Sequence, residues 1–174
     1  MRTRVWSADQ VRTEGDRFVS DTGELTWDLS QVKRGVVTVN TARSKAVIGF
    51  GGGKRFRLGD LEIEPGQGLQ EGWSAVTATD MNGQGRWLIS ATGYADNTDL
   101  KWHNAEKNTV GRDWGRAPSR VEGVPAKLTF ARPAARCEAW SLDERGQRKE
   151  KLPLTETGAG RTTLEIGPRW RTLW

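Results

Sequence analysis

Two tryptophans lie within a long polar segment whose other side chains can hydrogen-bond to a sugar. Trp102 and Trp114 fall within residues 95–125, where carboxylates, amides and a histidine surround them. A pyranose ring has apolar C–H faces and a rim of hydroxyl groups. An indole packs against such a face, and polar side chains bind the rim. This pattern is typical of polysaccharide binding.

The predicted carbohydrate site extends beyond these two indoles. Trp73, at the start of a strand-like run, and Tyr94, just before the polar segment, are further candidate platforms for a sugar ring. Neighbouring polar side chains are candidates for binding the hydroxyls. The complete predicted site is Trp102, Trp114, Trp73, Tyr94, Asp96, Asn97, His103 and Arg116.

The other six of the nine tryptophans are expected to be structural. Three lie inside strand-like runs and should belong to the core: Trp27, Trp87 and Trp140. Three lie near the termini and should hold the chain ends in place: Trp6, Trp170 and Trp174.

Catalytic chemistry has weaker support in the sequence. Nucleophilic catalysis needs a base beside a serine or cysteine, and His103 is the only histidine. No G-x-S-x-G elbow, P-loop or dinucleotide-binding glycine motif is present. We therefore expect no enzymatic activity, although a β-sandwich lyase or hydrolase is an alternative. Its acids would come from Asp96, Asp99, Glu106, Asp113 and Glu122.

Cofactor and metal sites are limited by the same residue counts. Cys137 is the only cysteine, which excludes an internal disulfide and a cysteine-based zinc site. A single histidine excludes a histidine-rich metal centre. We expect no cofactor. Structural calcium, common in jelly rolls, stays open, because carboxylates and backbone carbonyls could bind it although no D-x-D-x-D-G loop is present.

Length and composition favour one folded domain. The chain has 174 residues, a net charge of +5 and 28% charged residues. No apolar run approaches the roughly 18 residues of a membrane span, so no membrane association is expected. The basic residues alternate with acidic ones along the chain, which argues against a nucleic-acid partner. We expect a monomer.

Strand signals dominate the chain, and no segment has helical periodicity. We predict an antiparallel all-β sandwich, jelly-roll-like, over residues 21–174, with residues 1–20 as a lead-in strand or arm. A bulge is expected near Gly59 and a hairpin turn at residues 80–83. The predicted strands are 35–40, 45–50, 55–64, 73–79, 86–94, 126–130, 137–142, 150–154 and 162–166.

Several stretches together resemble the C-terminal β-sandwich domains of large bacterial glycoside hydrolases, which are similar to carbohydrate-binding modules. The resemblance runs from about residue 20 to the end of the chain. Its NT-x-x-x-W stretch matches Asn97, Thr98 and Trp102, and its W-G-x-x-P stretch matches Trp114, Gly115 and Pro118. The stretches are 22-TGELTWD-28, 35-GVVTVNTARSKAVIGF-50, 84-QGRWLISATGYADNTDLKW-102, 111-GRDWGRAP-118, 121-VEGVPAKLTF-130, 140-WSLDERG-146 and 170-WRTLW-174.

The resemblance implies a non-catalytic accessory domain with a jelly-roll-like fold. Its partners would be a polysaccharide, with β-glucan, cellulose or xylan favoured, and the catalytic domain of a parent glycoside hydrolase. The resemblance also implies that the domain is extracellular as part of a longer secreted enzyme, although the N-terminus of this chain has no apolar signal-peptide region. The alternative is a structural domain that buttresses the catalytic domain, which predicts an exposed apolar patch.

Overall fold

The computed structural model describes residues 12–158 and 160–169 as an all-β structure built on two main antiparallel sheets. In spatial order, the seven-stranded front sheet contains β1 (Arg12–Glu14), β2 (Arg17–Val19), β3 (Leu25–Asp28), β4 (Val36–Asn40), β5 (Ser44–Gly49), β8 (Ser74–Asp80) and β9 (Trp87–Thr92). The five-stranded back sheet contains β15 (Leu154–Glu156), β16 (Thr162–Ile166), β12 (Ala126–Phe130), β7 (Leu61–Pro65) and β6 (Phe56–Leu58).

Two further hairpins and one short helical turn complete the described structure. One hairpin pairs β10 (Ala95–Thr98) with β11 (Arg116–Val121), and the other pairs β13 (Ala139–Leu142) with β14 (Arg148–Leu152). A 3-10 turn spans Ala134–Arg136. Within the described residues, no helix has the length and apolar character needed to span a membrane.

The prediction of an antiparallel all-β sandwich is confirmed. The front sheet is largely a meander, because β1 to β5 are neighbours in chain order. The structure therefore shares with a jelly roll its two packed antiparallel sheets. In the predicted lead-in segment, residues 12–14 and 17–19 form the outermost hairpin of the front sheet, whereas residues 1–11 lie outside the described part.

The core consists of aliphatic side chains from alternate positions on facing strands. Val47 and Val76 of the front sheet join Ile63 and Leu128 of the back sheet in one buried cluster. Successive side chains of a strand point to opposite faces, so each buried residue places its neighbours on the outside. The character of the two outer faces therefore depends on which residues occupy the remaining positions.

Two of the tryptophans expected in the core are partly buried in different places. Trp87, at the inner side of β9, packs against the core and lies 5.9 Å from Phe130 between ring centroids, which confirms its structural role. Trp140 is half-buried on the β13–β14 hairpin, where Arg148 and Lys151 cover its ring. Trp140 thus packs locally rather than within the main cluster.

The expectation that Trp27 belongs to the core is wrong. Its side chain is 49% exposed on the outer face of β3. The strand register pairs Trp27 with Phe18 on one side and Val37 on the other. The adjacent residues Thr26 and Asp28 take the inner positions, because alternation allows only one of the two sets to face the core.

The three tryptophans that were expected to hold the chain ends, Trp6, Trp170 and Trp174, lie outside the described residues.

On strands β2–β5, β8 and β9 of the front sheet, the outward positions carry no charged side chain. We define the front face as the outward positions of β2–β5, β8 and β9. A row of paired residues crosses five of these strands, from Phe18 through Trp27, Val37 and Ile48 to Ala75. Alternation and register give the remaining positions as Leu25, Val39, Ser44, Ala46, Thr77, Thr79, Leu88, Ser90 and Thr92.

The outer side of the back sheet is highly charged, in contrast to the front face. Glu62 lies 3.2 Å from Arg55 and 3.4 Å from Arg57, and Lys127 lies 3.2 Å from Glu165. Exposed ion pairs of this kind each contribute about 0–1 kcal/mol of stability, so their main effect is to keep this surface hydrated. The charged outer face of the back sheet therefore favours contact with water, whereas the uncharged front face favours contact with an apolar surface.

The strand predicted over residues 55–64 is in fact a hairpin. β6 and β7 are separate antiparallel strands in which Leu58 pairs with Leu61. Gly59 has a φ of 65°, and it occupies the first position of a two-residue turn with Asp60. A positive φ at this position is typical of a type II′ hairpin turn, which favours glycine. The break in alternation that suggested a bulge at Gly59 instead marks this turn.

The predicted hairpin between β8 and β9 is confirmed, with Asp80 organising its turn. The Asp80 carboxylate accepts backbone hydrogen bonds from Gly83 at 2.9 Å and Gly85 at 2.8 Å. A longer bond from Asn82, at 3.3 Å, completes the set. This side chain replaces the hydrogen bonds that a tighter turn would form within its own backbone.

Asp80 makes the stability of the domain depend on pH in the acid range. Burial raises the pKa of Asp80, but the backbone hydrogen bonds outweigh that effect and hold the pKa below its ordinary value of 3.8. The ionised carboxylate therefore stabilises the fold above the pKa of the unfolded chain, and the contribution is lost as the pH falls through the lower folded pKa. We expect Asp80→Asn to be less stable at neutral pH and to lose less stability on acidification.

Urea unfolding of both proteins across the acid range measures this difference. Asp60→Asn, at an exposed position in the β6–β7 turn, serves as the control for removing one carboxylate. An identical acid dependence in wild type and Asp80→Asn would contradict the assignment.

Candidate functional site

The predicted polar loop is largely a structured hairpin. We call β10, β11 and the connecting residues 99–115 the indole hairpin, because it carries Trp102 and Trp114. Its strands were missed in the sequence because their residues are polar and show no alternation. On β11 every residue is exposed, so burial could not impose a pattern.

Asp96 and Asn97, predicted to bind sugar hydroxyls, hold the indole hairpin together. Arg120 donates hydrogen bonds from Nε and Nη2 to the two carboxylate oxygens of Asp96, at 3.0 and 2.8 Å. The Asn97 amide nitrogen donates to the Trp114 carbonyl at 3.0 Å. Its amide oxygen accepts a hydrogen bond from the Ser119 hydroxyl at 2.7 Å. These two side chains are therefore engaged in positioning the backbone.

Arg116 and His103 remain accessible to a ligand. Arg116 forms a 2.7 Å ion pair with Asp99, and both side chains are largely exposed. His103 is exposed as well, and its backbone N–H donates to the Thr109 carbonyl at 2.8 Å. A solvent-exposed ion pair exchanges readily with other partners, since it contributes little stability. Arg116, Asp99 and His103 can thus hydrogen-bond to a bound molecule.

The indole side chains lie on the two arms of the hairpin. The Lys101 N–H donates to the Asp113 carbonyl at 3.1 Å, and this bond brings the residues before Trp102 and Trp114 together. Trp114 is 63% exposed and Trp102 is 38% exposed. Val110, which lies between them in the sequence, is buried. The hairpin therefore presents aromatic surface to solvent from a fixed backbone.

Trp73 and Tyr94 lie at the same end of the sandwich as the indole hairpin. Trp73 immediately precedes β8 and is 37% exposed, whereas Tyr94 follows β9 and is half-buried. Lys107 of the hairpin loop forms a 2.6 Å ion pair with Glu71, two residues before Trp73. The Glu71 carboxylate raises the pKa of Lys107 above its ordinary value, and Tyr94 adds to this effect. The structure thus brings the predicted residues to one end of the molecule.

Glu122 connects these segments. One carboxylate oxygen accepts a hydrogen bond from the Gln70 N–H at 2.6 Å, and the other accepts one from the Tyr94 N–H at 3.3 Å. Its own N–H donates to the Tyr94 carbonyl at 2.8 Å. The sequence indicated Glu122 only as one of several loop acids. Its structural role depends on contacts 28 and 52 residues away along the chain, which no local pattern reveals.

Two exposed aromatic residues that the sequence does not indicate lie outside the end of the sandwich that carries the indole hairpin. Phe18 and Trp27 lie side by side on the front face, with ring centroids 5.9 Å apart. Their strands alternate apolar and polar residues, which indicates a shared face but does not say which face is buried. Across the described residues, no group of three or more His, Cys, Asp or Glu side chains is placed to bind a metal ion.

Comparison with known proteins gives no further assignment. No family model, curated protein or solved structure matches this chain.

Proposed function

We propose that this chain is a non-catalytic carbohydrate-binding module that directs an attached glycoside hydrolase to a polysaccharide outside the cell. The supporting observation is Trp114, the most exposed tryptophan among the described residues, with 63% of its surface accessible. It lies on a hairpin whose polar side chains fix its backbone. A large aromatic surface left in water on an ordered element is a common feature of binding sites.

The rigidity of the indole hairpin favours binding. Asp96, Asn97 and Arg120 already hold the hairpin in place through internal hydrogen bonds. A ligand that stacks on Trp114 therefore does not have to order the loop, and a preorganised site loses less free energy on binding. Trp102 provides a second indole on the neighbouring arm.

The surrounding residues supply the polar part of the site. Arg116, Asp99 and His103 are exposed beside the indoles and can bind hydroxyl groups. Trp73 and Tyr94 extend the site towards the sandwich. A β-linked polysaccharide such as β-glucan, cellulose or xylan matches this combination of apolar platforms and hydrogen-bonding groups.

Replacing the exposed indole is the direct test of the proposal. We expect Trp114→Ala to weaken binding to an oligosaccharide of the preferred polysaccharide about 30-fold, since loss of an aromatic hot spot costs about 2 kcal/mol. Its free energy of unfolding should change by less than about 0.5 kcal/mol, because the side chain is exposed. Calorimetric titration against a polysaccharide panel and urea unfolding measure the two quantities.

Trp27→Ala is the matched control, because it removes another exposed indole from a different face. It should bind the oligosaccharide as wild type does. Loss of binding in Trp27→Ala but not in Trp114→Ala would move the site to the front face. A wild-type domain that binds none of the polysaccharides would contradict the proposed function.

The front face favours a second candidate function, that of a structural domain docked on a catalytic domain. This face carries no charged side chain, and Trp27 and Leu25 are 49% and 47% exposed. A contiguous uncharged surface with exposed aromatic residues is typical of an interface with another protein. In this arrangement the domain would stabilise its neighbour without binding sugar.

A charge placed on the front face tests the docking function in a polypeptide that joins this domain to its catalytic neighbour. We expect Trp27→Lys to lower the Tm of the catalytic domain, because a buried unpaired lysine disrupts an apolar interface. Thr155→Lys adds the same charge on the back sheet and should leave that Tm unchanged. Equal Tm values for wild type and both variants would exclude docking through this face.

A further inference from the structure

A pocket of about 320 Å³ opens between three loops at the end of the sandwich that carries the indole hairpin. Arg34 comes from the segment before β4, Phe50 follows β5, and residues 66–72 follow β7. None of these residues belongs to the site predicted from the sequence. The volume lies at the small end of ligand sites, which span about 300–1,000 Å³. A pocket of this volume can accommodate one group the size of a sugar ring.

Backbone atoms form much of the pocket wall, and their positions are fixed. A Cβ on Gly52 would lie 2.8 Å from the Gly66 carbonyl oxygen, so a side chain at position 52 would collide with the facing loop. The Gly66 N–H donates to the Pro125 carbonyl at 2.6 Å. The carboxylate of Glu122 accepts a hydrogen bond from the Gln70 N–H at 2.6 Å. The loop over residues 66–72 is therefore anchored on both sides of the opening.

Arg34 supplies a positive charge at the pocket. Its guanidinium carbon lies 4.9 Å from the centroid of the Phe50 ring, within the range of a cation–π contact. Gly72, with a φ of 69°, leaves room for the guanidinium, because a Cβ there would lie 3.1 Å from Arg34 Nη2. The Phe50 ring thus lies beside the guanidinium, and no described residue accepts a hydrogen bond from the guanidinium N–H groups.

The charge of Arg34 is not neutralised by the described part of the chain. No carboxylate of the described residues forms an ion pair with it. Two acids that belong to or contact the pocket loop already have partners, since Glu71 pairs with Lys107 and Glu122 binds backbone N–H groups. A planar guanidinium with free N–H edges binds a carboxylate through two parallel hydrogen bonds.

From these features we propose that the pocket binds a sugar residue bearing a carboxylate, a uronic acid, within the polysaccharide. The carboxylate would pair with Arg34, and the sugar ring would contact Leu69 and the free part of Phe50. Gln67, exposed at the rim, would hydrogen-bond to hydroxyls. The inference rests on the proposed carbohydrate-binding function and specifies its substrate class as an acidic polysaccharide.

The neighbouring elements support one continuous binding surface. Trp73 follows the last pocket residue, Gly72, and the Lys107–Glu71 ion pair joins the pocket loop to the indole hairpin at 2.6 Å. A polysaccharide chain anchored at Arg34 would therefore pass beside Trp73 and the hairpin. The net charge of +5 also favours approach of a polyanion.

Short oligogalacturonates and their methyl esters test the proposal, because they share a backbone and differ in charge. We expect wild type to bind the acid form at least about tenfold more tightly than the ester, since a charged hydrogen-bonded pair is lost in the ester. Arg34→Gln should bind both forms equally. Arg145→Gln, which removes an exposed arginine on the β13–β14 turn, should retain the preference of wild type.

Further variants and probes distinguish the outcomes. Arg34→Lys should lose most of the preference, and full affinity in that variant would overturn paired recognition by a guanidinium. Equal binding of acid and ester by wild type would overturn the pocket while leaving a Trp114-dependent site intact. Tighter binding of a sulfated galactan oligosaccharide would overturn the carboxylate assignment. Binding that depends on Arg34 but not on Trp114 would support the pocket and contradict the hairpin platform.

Discussion

The alternation of side chains along strands, applied to a chain with few aliphatic residues, determines most of this structure. Val47 and Val76 face Ile63 and Leu128, and together they provide the central contacts between the sheets. Burial of such surface contributes about 25 cal/mol per Å², and the amount available in this core is limited. Segments outside the two sheets are therefore held by polar interactions. The indole hairpin and the β8–β9 turn, organised by Asp80, are the main examples.

Glu122 shows how a single polar group replaces a local core. Its carboxylate binds N–H groups of Gln70 and Tyr94, which belong to the pocket loop and to the base of the indole hairpin. Both segments bind the same carboxylate through different oxygens, so a movement of the Glu122 side chain affects both hydrogen bonds. Lys107 and Glu71 provide a second connection between the same segments. The pocket loop and the indole hairpin are consequently joined by these two side-chain connections.

The sequence predicts the strands well where alternation or β-branched runs are present, and less well elsewhere. The sequence predicts a bulge at Gly59 rather than a turn, because a two-residue turn and a bulge break alternation in the same way. The prediction that Trp27 is buried is wrong because alternation defines two faces without saying which one is buried. Exposure of Trp114 followed from its polar surroundings, but the internal role of Asp96 depends on a partner across the hairpin. Arg34 could not be identified, since its pocket forms only when distant loops meet.

The difference between the two outer faces also governs how the isolated domain behaves in concentrated solution. The net charge of +5 keeps copies apart, but none of that charge lies on the front face. Salt at physiological strength screens charges beyond about 8 Å, and the net charge disappears at the isoelectric point of about 9.7. Under either condition colloidal stability decreases, and contacts through Trp27 and its apolar neighbours become the most favourable route to self-association.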